Sequence, residues 1–308
     1  MIFVFLIEKI FMKLIQLLFL VFVINSCKAQ SVSSNLKTNA DDNTLLWEIT
    51  GNGLTAPSYL FGTFHMMCKD DIQFSTQLKE AVKNTDEIYL EMDMDDPATL
   101  FGGLMLMNMK NGKKLKDLYT AEEYDRVTDF FKDSLQTPLG LFQSMKPYFL
   151  LALLYPKMMP CKSVSGVEEE IMGLAKTYKK EIQGLETMEF QSSIFDSIPY
   201  KEQAAELLKA IDSMAKSRIY FDSMIVAYKN QQMDELETLL NNNEFGIEEN
   251  QDVLLDNRNK NWVEQLKLIM KKKTVFVAVG AGHLVGKQGL IVLLRNAGYT
   301  VRALENKK

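Results

Sequence analysis

The chain contains two histidines, and both occupy the same local setting. Gly62-Thr-Phe-His65 follows the apolar run Tyr59-Leu60-Phe61, and Gly280-Ala-Gly-His283 follows Val275-Phe-Val-Ala-Val279. Each run is short, apolar and closed by glycine, the pattern of a buried strand. A strand that ends in Gly-x-x-His carries an imidazole just beyond its carboxyl end, where open α/β sheets bind their ligands. Histidine titrates closest to neutrality and is the commonest metal ligand. The repeated setting therefore points to a fold that brings the two ends of the chain to one site. The glycine heading each motif is expected to permit a tight strand-to-loop turn.

The surroundings of the motifs repeat as well. Leu45–Thr50 alternates like a strand, Gly51-Asn-Gly53 is turn chemistry, and Ser58–Phe61 runs into the first motif. Helical spacing over Phe74–Asn84 and a strand over Glu87–Asp93 follow. At the far end Lys273–Val279 reads as a strand, Gln288–Asn296 as a helix and Tyr299–Leu304 as a strand. Such strand–GxxH–helix–strand units place their strands in parallel, joined by a right-handed crossover. Between them the spacing predicts helices over Asp96–Lys110, Ala121–Ser134, Lys146–Tyr155, Val167–Tyr178, Tyr200 to about Asn242 with breaks, and Gln251–Lys271. The fold class expected is α/β: a central sheet built from the two terminal units, with a helical middle section. Eighteen methionines, many in residues 92–109 and 145–172, read as core filling or as a soft apolar lining.

At 308 residues and 47% hydrophobic, the chain can bury one large core. No basic stripe interleaved with aromatics is present and the net charge is -5, which excludes nucleic acid as the expected partner. Met1–Ile24 is nearly continuously apolar, and Met12-Lys13 followed by Leu14–Ile24 has the charged and apolar regions of a secretory signal, so translation is expected to start at Met12. Ile24-Asn-Ser-Cys27 is a loose lipobox, and cleavage after Ala29 is the alternative. The expected organisation is a signal peptide over residues 1–29, a polar tether over 30–44 and one domain over 45–306. The protein is expected to be exported, either free in the periplasm or as a lipoprotein of the bacterial envelope. The membrane is touched only through the N-terminal signal or lipid anchor. With Cys27 removed or lipidated, Cys68 and Cys161 remain as an even pair, and exported proteins keep disulfides.

Two imidazoles alone hold a metal weakly; a catalytic site adds a carboxylate and leaves a position open. Glu91, in Tyr-Leu-Glu91-Met-Asp93, is the best candidate, because it shares a strand face with Asp93 at a carboxyl end. It would serve as a ligand or as a general base. Glu186 closes the run Gly184-Leu-Glu186, and Arg258-Asn259 lies in a polar stretch before Trp262. An arginine there can clamp a carboxylate or an oxyanion. A Gly-x-Ser-x-Gly elbow, an HExxH motif, a P-loop and a Cys-x-x-Cys motif are all absent. Cys68 lies three residues from His65, and a thiol–imidazole pair there would be lost on disulfide formation.

Taken in order, these segments resemble the TraB/GumN family, which is related to the Tiki proteins. The markers are Leu46-Trp-Glu-Ile49, Gly-Thr-Phe-His65, Tyr-Leu-Glu91-Met-Asp93, Gly166-Val-Glu168, Gly-Leu-Glu186-Thr with Gln191, Arg258-Asn259, and Gly280-Ala-Gly-His283, spread over roughly residues 45–304. Gly166-Val-Glu168 departs from the pattern, with Glu where the family is expected to have Asp, and Met66-Met67-Cys68 is unusually apolar. The resemblance implies an α/β fold in which the two GxxH loops meet. Tiki members are similar to metal-dependent proteases that use manganese or cobalt. By that resemblance His65, Glu91 and His283 are metal-site residues, and Glu186, Arg258 and Asn259 line the pocket as catalytic groups. The function expected is a metal-dependent, peptidase-like hydrolase with Mn, Co or Zn and a peptide or small-molecule substrate. The alternative, from another class, is a non-catalytic envelope protein that binds a peptide or a small ligand such as haem; a third is a structural protein whose histidines brace loops.

Overall fold

A computed structural model describes residues 42–96, 105–241 and 250–307. The expected signal peptide, Cys27 and most of the tether lie outside the described residues. Among the described residues no helix is long and apolar enough to cross a membrane.

The elements follow in chain order. Strands β1 (Leu46–Gly51) and β2 (Ser58–Thr63) are joined by a turn in which Gly51, Asn52 and Gly53 all take positive φ. Next come the short strand β3 (Met67–Cys68), helix α1 (Thr76–Asn84), strand β4 (Glu87–Met92) and helices α2 (Ala121–Asp133), α3 (Pro147–Leu151) and α4 (Tyr155–Met158). Strand β5 (Val164–Ser165), helix α5 (Val167–Tyr178), strand β6 (Glu181–Glu186) and helices α6 (Met188–Ser197), α7 (Tyr200–Asp212), α8 (Met214–Lys229) and α9 (Met233–Leu240) complete the middle. The chain ends in α10 (Asn257–Ile269), β7 (Val275–Gly280), α11 (Leu290–Asn296) and β8 (Tyr299–Ala303).

The fold is α/β, with a central six-stranded sheet in the order β6-β4-β7-β2-β1-β8. β2, β4 and β6 join the parallel array around β7, and β8 lies antiparallel to β1, which is itself antiparallel to β2. Only β1 therefore runs against the rest. The two units are interleaved: β7 lies between β2 and β4, so each GxxH strand neighbours the other. Val275–Val279 is fully buried, which accounts for its unbroken apolar run: a central parallel strand is covered on both faces. Helix α1 starts where Ser75 Oγ accepts from Leu78 N, and it buries Leu78, Ala81 and Val82.

The helical middle departs from the expected spans for physical reasons. The helix expected over Lys146–Tyr155 is two pieces, α3 and α4; Pro156, in the first turn of α4, has no N–H to continue a helix from α3. The long span from Tyr200 is three helices, with Gln231 at φ +57 in the second break. Most of the helix expected over Asp96–Lys110 lies outside the described residues, and Asn108 bridges to Met145 instead of continuing it. The span expected from Gln251 opens as a π-helical turn, Asp252–Asp256, before α10 begins. Helix α6 lies outside the helical spans expected from the spacing. Its start is set by Thr187, whose side chain accepts from Phe190 N, and it is anchored from below by buried Lys146. The Lys146 ammonium donates to Ser192 O at 2.9 Å and Ser192 Oγ at 2.7 Å, and pairs with Asp196 at 2.9 Å.

Cys68 and Cys161 form a disulfide with their Cα atoms 5.8 Å apart and a separation of 93 positions in sequence. It fastens β3, just after His65, beside β5, just before α5. The thiol–imidazole pair is thereby excluded while the bridge stands. Closing a loop of this length restricts the unfolded chain, so the Cys68→Ser/Cys161→Ser protein is expected to lose about 2–4 kcal/mol of stability. Urea unfolding of the oxidised protein and the double variant checks this.

Candidate active site

β2 and β7 pair in parallel with Gly62 opposite Val279 and Thr63 opposite Gly280, so the two motifs leave the sheet side by side. The glycines at these strand-to-loop turns are needed for close approach, and neither takes a positive φ. A Cβ on Gly62 would come within 3.0 Å of Leu45 Cδ2 and 3.2 Å of Ala281 Cα in the second motif. A Cβ on Gly280 would lie 3.3 Å from Glu91 Oε1, 3.6 Å from His65 Nε2 and 3.7 Å from His283 Cδ2. Three groups read from distant parts of the sequence thus surround one small space over Gly280.

Each imidazole is oriented from behind. His65 Nδ1 lies 2.8 Å from Glu168 Oε1, which also accepts from Thr63 Oγ1 at 2.5 Å. Glu168 stands in the first turn of α5, where the helix N-terminus favours a carboxylate. Gly166 is required there, since a Cβ on it would meet His65 O at 2.9 Å. His283 Nδ1 lies 2.7 Å from Asn259 Oδ1. Asn259 Nδ2 donates to His283 O at 3.2 Å and Gln288 O at 2.9 Å, which fixes the amide and makes Oδ1 the acceptor. Nδ1 of His283 therefore carries the proton and Nε2 presents its lone pair to the site. Partners of this kind set the tautomer of metal-binding histidines.

Arg258 is buried at the centre. Its Nε donates to both Glu186 oxygens at 3.1 Å, and its Nη2 to Glu186 Oε2 at 2.8 Å and Glu91 Oε2 at 2.6 Å. Its Nη1 donates to Leu254 O at 2.9 Å and to His283 Nε2 at 3.2 Å. Glu186 is closed off by Trp262 Nε1 at 2.9 Å and by Gln191 Nε2 at 3.2 Å. Glu91 Oε1 accepts from Gly280 N at 2.9 Å. The Trp262 ring packs on His283, ring centroids 4.4 Å apart, and under the Arg258 guanidinium at 4.8 Å.

These contacts set the charges. Burial acts against a proton on His65, yet the charge and hydrogen bond of Glu168, with Glu91 behind them, raise its pKa to about 9. The His65 side chain keeps 72% of its surface accessible, so water screens this pair and it adds little stability. Burial, with the Arg258 and His65 charges, lowers His283 to about 3, so this ring is neutral. For Glu91, burial acts upward and is outweighed by His283, Arg258, His65 and the Gly280 N–H, which hold it below the carboxylate range. With His283 neutral, Arg258 at 2.6 Å is the charge that keeps Glu91 ionised at neutral pH.

His65, Glu91, Arg258 and His283 face a cavity of about 370 Å³ whose other walls, among the described residues, are mostly apolar. Met66 and Met224 are among those walls, while most buried methionines, such as Met67 and Met158, fill the core. Glu186 and Asn259 do not line this cavity: Glu186 holds Arg258, and Asn259 holds His283. Asp93, expected on the same strand face as Glu91, faces a separate hollow with Gly184, and its Oδ1 has no hydrogen-bond partner among the described residues. Glu168, Gln191 and Trp262 complete the site. Glu168 and Gln191 are signalled in the sequence only by the family pattern, and Trp262 by its place four residues after Arg258 on one helix face.

The donor types, imidazole and carboxylate, are ones that divalent cations bind. His65 Nε2, the His283 ring and Glu91 Oε1 face the same space; Glu91 and Glu186 both pair with one permanent cation, Arg258, and Glu168 pairs with His65. Among the described residues no group of three His, Cys, Asp or Glu side chains is arranged so that it could hold a metal ion. Arg258 Nη1 takes the lone pair of His283 Nε2, and His65 must give up a proton before its own Nε2 can coordinate.

The profile of the TraB/PrgY/gumN family matches residues 45–303. Relatives include metalloprotease TIKI1 of Danio rerio, 22% identical over 87% of this chain and 65% of that protein. The uncharacterised protein YbaP of Escherichia coli (strain K12) is 24% identical over 82% of this chain and 97% of its own. Metalloprotease TIKI2 of Xenopus tropicalis is 29% identical over 30% of this chain and 17% of that protein. The chain thus spans just under two-thirds of the zebrafish protein's length. No solved structure matches.

The Glu186→Ala protein is expected to be less stable by about 3–5 kcal/mol, because it leaves the buried Arg258 guanidinium short of its main counter-charge. Denaturant unfolding monitored by circular dichroism gives the difference.

Proposed function

The chain belongs to the TraB/PrgY/gumN family, and we propose that it is a metal-dependent hydrolase of the cell envelope that cuts peptide-like amide bonds. The observation that carries this reading is the meeting of His65 Nε2, His283 and Glu91 Oε1 around Gly280, each ring held from behind by a fixed partner. The names of the Tiki relatives support it, at low identity.

In this reading His65, Glu91 and His283 hold a divalent ion, Mn, Co or Zn. When bound, such an ion polarises a carbonyl and makes water acidic enough to attack at neutral pH. Glu168 and Asn259 keep the two rings in register, so little ordering remains for the moment of reaction. Arg258 presents a desolvated cation to the same cavity and serves the negative charge that develops on a carbonyl oxygen. Glu186, Gln191 and Trp262 position that guanidinium without touching the substrate. Export is part of the proposal: the Cys68–Cys161 bridge suits an oxidising compartment, and the N-terminal residues read as a signal with either a lipid anchor or cleavage after Ala29.

Thermal unfolding of the chelator-treated, purified protein with added Mn, Co or Zn tests this. An ion at a hundred times its Kd is expected to add about 2.7 kcal/mol of stability. The gain should vanish in His65→Ala/His283→Ala, and affinity should fall about 10–100-fold in Asn259→Ala. The same ions should switch on cleavage of a peptide library, lost in Glu91→Gln. Absence of ion binding by the wild type overturns the metal reading; ion-independent ligand binding without turnover would favour the binding-protein alternative.

A further inference from the structure

The chamber in front of the site has a sharp division of chemistry. All of its ionisable lining groups, His65, Glu91, Arg258 and His283, belong to the site just described, and among the described residues every other lining side chain is uncharged. The facing wall comes from the helical middle. Tyr155 and Phe221 are stacked with ring centroids 5.3 Å apart and planes within 9°, and Phe64, next to His65, lies 5.7 Å from the Phe221 ring. Leu240 and Leu255 close the side nearest the second motif: a Cβ on Gly282 would lie 3.2 Å from Leu240 Cδ1 and 3.9 Å from Leu255 Cδ2. The apolar wall thus begins one residue from His283. Its volume, about 370 Å³, lies within the range of roughly 300–1,000 Å³ typical of small-ligand sites.

A charged side chain placed against this wall would leave water and find no counter-charge in it, because the described side chains of the wall carry none. A large apolar side chain would lose only its contact with water. We propose that this chamber is a specificity subsite: it seats a leucine- or phenylalanine-like side chain beside the amide bond to be cut and rejects Asp, Glu, Lys and Arg there. Leu255, Phe221 and Met224 determine the preference. The inference rests on the hydrolytic reading for its role beside a cut bond, while selective occupancy of the chamber can be measured apart from turnover.

Calorimetric binding of N-acetyl-L-leucinamide, N-acetyl-L-phenylalaninamide, N-acetyl-L-lysinamide and N-acetyl-L-aspartic acid amide to the wild type and to Glu91→Gln tests it. The two apolar probes are expected to bind both proteins at least ~10-fold more tightly than the two charged ones. Met224→Glu should reverse the order for the lysine probe, and Leu255→Ala, a truncation of a half-buried side chain, should weaken the leucine probe several-fold should Met224→Glu fail to fold. On the metal-loaded wild type, the peptide-library cleavage should show the same side-chain preference beside the cut. Equal affinity for all four probes, failure of every probe to bind, or variants that stay folded and change nothing overturns the subsite. Selective binding that survives with no cleavage supports the chamber's selectivity and overturns the hydrolytic reading instead.

Discussion

One buried guanidinium ties the site to the fold. Arg258, on α10, reaches Glu186 at the end of β6, Glu91 near the end of β4, and His283 in the turn after β7. These are three parallel strands and the helix that precedes the third. An arginine taken out of water is tolerated only when its donors are met by well-placed acceptors. Each acceptor here is itself fixed by another donor: Glu186 by Trp262 and Gln191, Glu91 by the Gly280 N–H. The network is thus held as a unit, and the position of each carboxylate follows from that of the arginine.

The two motifs look alike in sequence and are unlike in state. His65 stands at the cavity surface against a carboxylate and is protonated when no cation competes. His283 is buried against an amide and a guanidinium and stays neutral. Their second partners, Glu168 and Asn259, explain the difference: an anion supports a charged ring, and a neutral acceptor in an apolar setting does not. A symmetrical pair of sequence motifs has become one movable proton and one fixed lone pair, close to a carboxylate that is always charged at neutral pH.

The pattern Gly-x-x-His was legible because histidine is so rare in this chain, and the strands were legible because β2 and β7 are buried on both faces. That the two strands are neighbours was not, since nothing local records a pairing between residues some 217 apart, as in the Ser58–Val275 bond. Glu91, Arg258 and both histidines were picked out and meet. Glu186 and Asn259 were picked out as lining and stand behind the lining, because a sequence shows residue types and not which way they face. Glu168 was a marker without a role until His65 was seen beside it. Asp93 shares alternation with Glu91, but β4 ends at Met92, so the strand rule no longer governs it. Helix α6 falls outside the spans read from spacing because its capping threonine and its anchor, Lys146, are meaningful only together with tertiary contacts.

The account stands on two imidazoles that share one space with their Nε2 atoms inward. A long-range proton–nitrogen spectrum of uniformly nitrogen-15-labelled protein tests this directly, since only two imidazoles contribute. At neutral pH His283 is expected as the Nδ1-protonated tautomer with a bare Nε2, and stoichiometric Zn should move the Nε2 signals of both rings together. A His283 protonated at Nε2, or a cation that moves one ring and leaves the other unchanged, would contradict it.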